Sequence, residues 1–142
     1  MTAGATNPLG VMVIDDNPMV CAGLERWLSR EPGIGWVGTQ SVWQRAETDV
    51  RERRPDVVLL DIDLPGTSGL DLIAPLRAAC PGCRIVMLSG LVTRELVERA
   101  IDEGAAGYVV KEQEARRIVE LIRRAAEGLL VLCPTAEAAL TG

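Results

Sequence analysis

The chain has 142 residues, 48% of them hydrophobic and 25% charged, with a net charge of −5 and no histidine; these are the proportions of one globular domain, not of a disordered chain or of two domains. The missing imidazole excludes histidine general bases, histidine metal ligands and a self-contained phosphohistidine, and the acidic balance argues against nucleic-acid binding by this segment, which needs clustered Lys and Arg. No apolar run approaches the roughly 20 residues that span a bilayer, and the polar start lacks a basic stretch followed by an apolar one, so a cytoplasmic chain without membrane contact is expected.

Leu9 to Ile14 is a β-rich apolar run that ends at the acidic pair Asp15-Asp16. Asn17 and Pro18 open a helix with Met19, Val20, Gly23, Leu24, Trp27 and Leu28 on one stripe, and Pro32-Gly33 ends it. Ile34 to Thr39 reads as a second strand. Val42 to Arg53 reads as a more polar helix with its charges on an exposed face. After Pro55, Val57 to Leu60 forms a strand buried on both faces that delivers Asp61 to its carboxyl end. Pro65 and Gly66 break regular structure, and Thr67, Ser68 and Gly69 continue as a polar loop.

Leu70 to Ala79 is the third expected helix, Arg84 to Leu88 a fourth strand ending at Ser89-Gly90, and Thr93 to Glu103 a fourth helix stopped by Gly104. Ala106 to Val110 is a fifth strand that delivers Lys111. Glu114 to Glu127 is an amphipathic helix with Ile118, Val119, Leu121 and Ile122 inward and Arg116, Arg117, Glu120, Arg123 and Arg124 outward, stopped by Gly128. Residues 1–8 and Pro134 to Gly142 read as loosely ordered, around a domain at 9–128 with a C-terminal tail or the start of a linker at 129–142. Strands alternating with helices over short connections predict an α/β fold, a doubly wound five-stranded parallel sheet covered on both faces.

In such a sheet the strand ends share one edge, where ligands bind. Asp15, Asp16, Asp61, Ser89 and Lys111 would then meet in one pocket. Three acids packed together repel and raise one another's pKa, so the cluster calls for a divalent cation or an opposing Lys. Oxygen-only ligands suit Mg²⁺, which shares its remaining positions with water or phosphate. Lys111 can pair with Asp61 in the empty site and with a phosphoryl oxygen in the filled one, while Ser89 donates to another oxygen. These parts match phosphoryl transfer to a carboxylate nucleophile. Each also has a plainer reading: Asp61 as a turn cap, Asp15-Asp16 at a helix entry, Lys111 as a solvated charge.

Over Leu9 to Glu127 the sequence resembles the receiver domains of two-component response regulators, with a flavodoxin/CheY-like (βα)5 sheet in the order 2-1-3-4-5. The residues that carry the resemblance are Asp15-Asp16, Asp61 within Leu-Asp-Ile-Asp-Leu-Pro-Gly, Ser89, and Gly-Tyr-Val-Val-Lys at Gly107 to Lys111. The resemblance implies that Asp61 accepts a phosphoryl group from a phosphohistidine on a sensor kinase. It further implies that Mg²⁺ is held by Asp16, the Asp61 carboxylate and the Asp63 backbone carbonyl, with Asp15 acting through water. Ser89 and Lys111 would bind the phosphoryl group, and Ser89 and Tyr108 resemble the family's switch pair; the plainer reading of Tyr108 is a half-buried strand residue with its hydroxyl in water.

The start of the chain and the Met-Leu-Ser-Gly end of strand four look most like LuxR/NarL-type regulators that carry a C-terminal helix-turn-helix domain. By that resemblance, output is transcription regulation, DNA is contacted only through a domain absent from this chain, residues 129–142 begin the linker to it, and phosphorylation promotes a homodimer. Gly90, Leu64 and Glu112 depart from the family's usual residues. The nearest enzyme alternative is a haloacid-dehalogenase-like phosphatase, with Asp61 as nucleophile and Asp63 as acid/base; that family places its metal-binding acids after the Lys, whereas here they precede the nucleophile. A flavodoxin-like nucleotide binder would need a glycine-rich phosphate loop after strand one, where this chain has Asp-Asp-Asn-Pro. Cys80-Pro-Gly-Cys83 lies after a helix and before a strand, the place of a structural turn and not of a thioredoxin-like dithiol. Cys21 and Cys133 are likewise expected reduced, and Trp27, Trp36 and Trp43 are expected to be packing residues.

Overall fold

The computed structural model describes residues 8–111 and 115–141. In chain order, β1 (Leu9–Ile14) leads to α1 (Pro18–Leu28), β2 (Ile34–Gln40) to α2 (Ala46–Arg53), and β3 (Val57–Asp61) through the small strands β4 (Asp63–Leu64) and β5 (Thr67–Ser68) to α3 (Ile73–Ala79). The chain continues as β6 (Arg84–Ser89), α4 (Arg94–Asp102), β7 (Gly107–Val110), α5 (Ala115–Ala126), β8 (Val131–Leu132) and α6 (Pro134–Thr141). Six strands form one parallel sheet in the order β2-β1-β3-β6-β7-β8. Its first five positions are the expected 2-1-3-4-5 arrangement, and β8 adds a sixth.

The centre of the sheet is apolar because helices cover both faces. Val11 to Ile14, Val57 to Leu60 and Ile85 to Leu88 are buried without alternation; each large side chain removed from water there contributes about 1.5–3 kcal/mol. Outside it, Asn17 caps α1, its side-chain oxygen accepting from the amides of Met19 (3.0 Å) and Val20 (3.4 Å), with Pro18 pre-set at the first helical position. Cys21, Leu24 and Leu28 face the core. The apolar stripe is narrower than expected: Met19 is 85% and Trp27 44% exposed, because both lie to the side of that buried row. On α5, Ile118, Val119, Leu121 and Ile122 are buried and the arginines are exposed, as the periodicity predicts.

Residues 129–141 correct the expectation of a loose tail. Val131 and Leu132 pair in parallel with Gly107 and Tyr108, and α6 packs against α4 and β7 with Cys133 and Ala136 fully buried. Gly107 makes this possible, since a Cβ there would overlap Val131. A two-residue strand has no readable period, and Pro134 at a helix start resembles Pro in a linker. Residues 1–7, Glu112 and Glu114 lie outside the described residues. Among those described, no helix is long and apolar enough to cross a membrane.

Candidate functional site

β1, β3, β6 and β7 are neighbours or near neighbours running the same way, so their carboxyl ends bring Asp15, Asp16, Asp61, Ser89 and Lys111 to one rim. Asp15 is fully buried and Asp61 is 1% exposed, whereas Asp16 is exposed. Carboxylate oxygens of the three lie within 4.8 Å of one another. The Lys111 ammonium stands 3.2 Å from Asp15 Oδ2 and 3.2 Å from Asp61 Oδ1, and the Lys111 amide donates to the Ser89 carbonyl at 2.9 Å, tying β7 to β6 at the rim.

Local turns fix one face of each of the two buried acids. The Asn17 amide donates to Asp15 Oδ1 at 2.8 Å and the Asp63 amide to Asp61 Oδ1 at 3.1 Å. Asp15 Oδ2 is different. It is buried and makes no hydrogen bond among the described residues, its close neighbour being the Lys111 ammonium as an ion-pair partner. Burial, and then the neighbouring Asp15 charge, push the Asp61 carboxyl up to about 6, with Lys111 acting in the opposite direction. Burial alone would lower the Lys111 ammonium, but Asp61 and Asp15 raise it overall, so it stays charged. Three carboxylates against one ammonium leave the rim electron-rich. Hard oxygen donors with one buried oxygen unsatisfied are the donor set that suits Mg²⁺.

A second network lies behind the rim. Leu91 donates its amide to Ser89 Oγ at 3.1 Å and accepts on its carbonyl from the Tyr108 hydroxyl at 2.6 Å. The Tyr108 ring is fully buried, which corrects the plainer reading of a half-buried residue with its hydroxyl in water; burial raises its hydroxyl pKa. A Cβ added at Gly90 would have open space, so nothing steric demands glycine there.

Three contributors have no signature in the sequence. Gly69 lies against the Asp61 carbonyl oxygen so closely that a Cβ would overlap it, and its amide donates to Ile62 at 2.7 Å, folding the loop back over the acid. Cys21 donates its thiol to the Asp15 carbonyl at 3.3 Å, and burial followed by the Asp15 charge pushes that thiol up to about 11. Trp43 donates its indole N–H to the Pro65 carbonyl at 2.7 Å. Two clefts flank the rim: one of about 320 Å³ lined by Asp15, Asp16, Cys21 and Glu25, and an apolar one of about 280 Å³ between α1 and α5, lined by Met19, Leu24, Lys111 and Ile118. Cys80 and Cys83 are free, buried and far from this edge, closing the turn after α3 by a 3.0 Å backbone hydrogen bond. Burial and the Cys80 thiol push Cys83 up to about 12, where it is inert.

Comparison with known proteins agrees with this geometry. The response regulator receiver domain family matches residues 11–123. The chain is 34% identical over 125 residues to the nitrate/nitrite response regulator protein NarL of Escherichia coli (strain K12), covering 88% of this chain and 58% of that protein. It is 37% identical over 118 residues to the transcriptional regulatory protein MctR of Rhizobium johnstonii, covering 83% and 55%. It therefore spans little more than half the length of these relatives. Among solved structures, a LuxR-family two-component response regulator from Aurantimonas sp. SI85-9A1 superposes with a TM-score of 0.89 at 27% identity, over 95% of this chain and 96% of that one. The signal receiver domain of a Mycobacterium tuberculosis response regulator gives 0.81 at 29% identity, over 87% and 99%.

Proposed function

The chain belongs to the response regulator receiver family, of the kind found in NarL- and LuxR-type two-component regulators, and from that premise we propose that Asp61 is its phosphoacceptor. The observation that carries this reading is the buried Asp61 carboxylate, pushed up by burial and Asp15 and opposed by a single ammonium, at the edge of the sheet where ligands bind. An Asp61 oxygen attacks the phosphorus of a phosphohistidine on a sensor kinase; the P–N bond breaks and the imidazole nitrogen keeps its electron pair. Lys111 moves from its two carboxylates toward a phosphoryl oxygen, and Ser89 Oγ donates to another.

Asp16, the Asp61 carboxylate and the Asp63 backbone carbonyl would hold Mg²⁺, with Asp15 acting through water. When bound, the ion supplies neutralisation of charge on the phosphoryl oxygens. Once converted to the acyl phosphate, Asp61 no longer anchors Lys111 as before, and turning Ser89 Oγ toward the phosphoryl group releases the Leu91 amide. Leu91 also holds the Tyr108 hydroxyl, so this loop carries the change to α4 and β7. The domain catalyses only its own phosphorylation and slow dephosphorylation. Beyond it, we infer an output domain that contacts DNA, with β8 and α6 leading toward the linker, and a homodimer formed on phosphorylation. The phosphatase alternative is not favoured: among the described residues, the strand after Lys111, β8, ends at Leu132 and is followed by Cys133-Pro134, with no acid pair.

Intact mass after treatment with acetyl phosphate tests the assignment. The expected result is one phosphoryl group per chain with Mg²⁺, none with a chelator, and none in Asp61→Asn; labelling of Asp61→Asn at the normal level overturns it.

A further inference from the structure

Resting on the reading of Asp61 as phosphoacceptor, we propose that Trp43 is a positioning residue for it. The indole N–H bonds the Pro65 carbonyl and thereby holds the loop at residues 62–69 in the form that orients the Asp61 carboxylate.

β4 and β5 are two residues each, joined only by Pro65-Gly66, with Asp63 opposite Ser68 and Leu64 opposite Thr67. A hairpin that short is marginal by itself. Its turn has Pro at the first central position and Gly66 at φ +82 in the second, the pattern of a type II turn. Type I and type II turns differ by a flip of the central peptide, whose carbonyl belongs to Pro65. Hairpins prefer the primed turns, whose twist matches that of their strands, so the type II form needs support from outside. Trp43 gives that support at 2.7 Å, on the very carbonyl that a flip would swing away.

The brace has a firm base. Trp43 opens a short 3₁₀ turn between β2 and α2, and its ring packs against the core. The preceding Val42 amide donates to Gln40 Oε1 at 2.9 Å, and the Gln40 side-chain amide in turn donates to Asp49 on α2. On the other side, the loop is coupled to the acid at two points. The Asp63 amide donates to Asp61 Oδ1, and Gly69 packs on the Asp61 carbonyl while donating to Ile62. Freeing Pro65 lets the hairpin shift, and the Asp63 amide shifts with it.

The test replaces the N–H and keeps the ring. Trp43→Phe is the simple variant; a chain carrying benzothienylalanine at position 43, with sulfur in place of the N–H, preserves the packing if the Phe variant is poorly folded. Hydrogen exchange is followed at the Asp63 and Gly69 amides in the Mg²⁺-free protein, with the Leu59 amide in the core strand as reference. Mg²⁺ alone is then titrated calorimetrically, and the rate of labelling by acetyl phosphate is measured. Losing one hydrogen bond predicts exchange at Asp63 and Gly69 faster by about threefold to tenfold with Leu59 unchanged, and a Mg²⁺ dissociation constant raised by a similar factor. Exchange and Mg²⁺ affinity equal to those of the unaltered chain overturn the proposal, as does a rise in exchange equal at all three amides, which means general loosening. If Asp61 of the unaltered chain takes no label, the phosphoacceptor reading fails, while the exchange data still decide whether Trp43 braces the loop.

Discussion

Asp56 and Asp61 flank the same strand and meet opposite fates. At the amino edge of the sheet, Asp56 is exposed, and it is woven into its neighbours. Its carboxylate accepts the Gly10 amide at 2.7 Å, its own amide donates to the Gly10 carbonyl at 2.8 Å, and its carbonyl accepts the Arg84 amide at 2.8 Å. β1, β3 and β6 are clipped together there. At the carboxyl edge, Asp61 is buried beside another buried acid, and one ammonium serves both. The same side chain is a fastener where its hydrogen bonds are complete and water is near, and, on the proposed reading of Asp61, a phosphoacceptor where charge is buried in excess. Leaving acids under-compensated at this edge has a cost in stability that the apolar centre of the sheet offsets.

The contrast breaks most visibly at Lys111. Replacing it with Met removes the cation within reach of two buried carboxylates, and truncating one side of a buried pair costs about 3–5 kcal/mol. Chemical denaturation at pH 8 without Mg²⁺ should show a loss of about 3 kcal/mol. The loss should shrink toward pH 4, where Asp61 is protonated. An unchanged midpoint at pH 8 would mean that the acids are compensated by something else. No counterpart exists at the amino edge, since Asp56 faces water.

Asp61→Asn is the next largest effect and has the opposite sign. The folded chain holds the Asp61 proton more tightly than the unfolded chain, with a folded pKa of about 6 against an ordinary 3.8. The stability this group contributes is therefore fully present below about pH 4 and is lost as pH rises through 6. Removing the titration should stabilise the Mg²⁺-free protein by on the order of 1–3 kcal/mol at pH 8 and by almost nothing at pH 4. Melting curves at the two pH values read the difference directly. A variant less stable than the parent at pH 8 would show that Asp61 is held by its bonds, as Asp56 is, and not strained by its neighbours.

The two ends of the sheet were unequally legible. Apolar runs ending in Asp15-Asp16, Asp61, Ser89 and Lys111 announce both the buried strands and the edge they share, because a parallel sheet buried on both faces leaves no alternation to misread. What escaped was short or relational. β8 is two residues long and depends on the absence of a Cβ at Gly107. The bond from Trp43 to Pro65 joins residues that only the folded sheet brings together, and an indole reads as packing material until its N–H is seen to have a partner. Tyr108 is wholly buried because β8 and α6 cover its strand, which reading residues 129–142 as a tail conceals. The exposure of Met19 and Trp27 likewise follows from where the helix meets the sheet, which a helical stripe does not specify by itself.

The smallest expected effect sharpens the comparison from the amino edge. Asp56→Ala removes one acceptor from the Gly10 amide, but that amide is near solvent and water replaces much of the bond, so the loss should be about 1 kcal/mol. Asp56→Asn keeps an oxygen acceptor and should recover most of it. Neither change touches the rim, so labelling by acetyl phosphate should proceed at the parental rate in both, provided the chains are folded at the assay temperature. Parental stability in Asp56→Ala would show the clip to be dispensable, and slowed labelling in a well-folded Asp56→Asn would show that strain passes along β3 from one end to the other. In that case the apolar strand between the two aspartates would be a transmitting element, and the separation of fastening from chemistry would no longer hold.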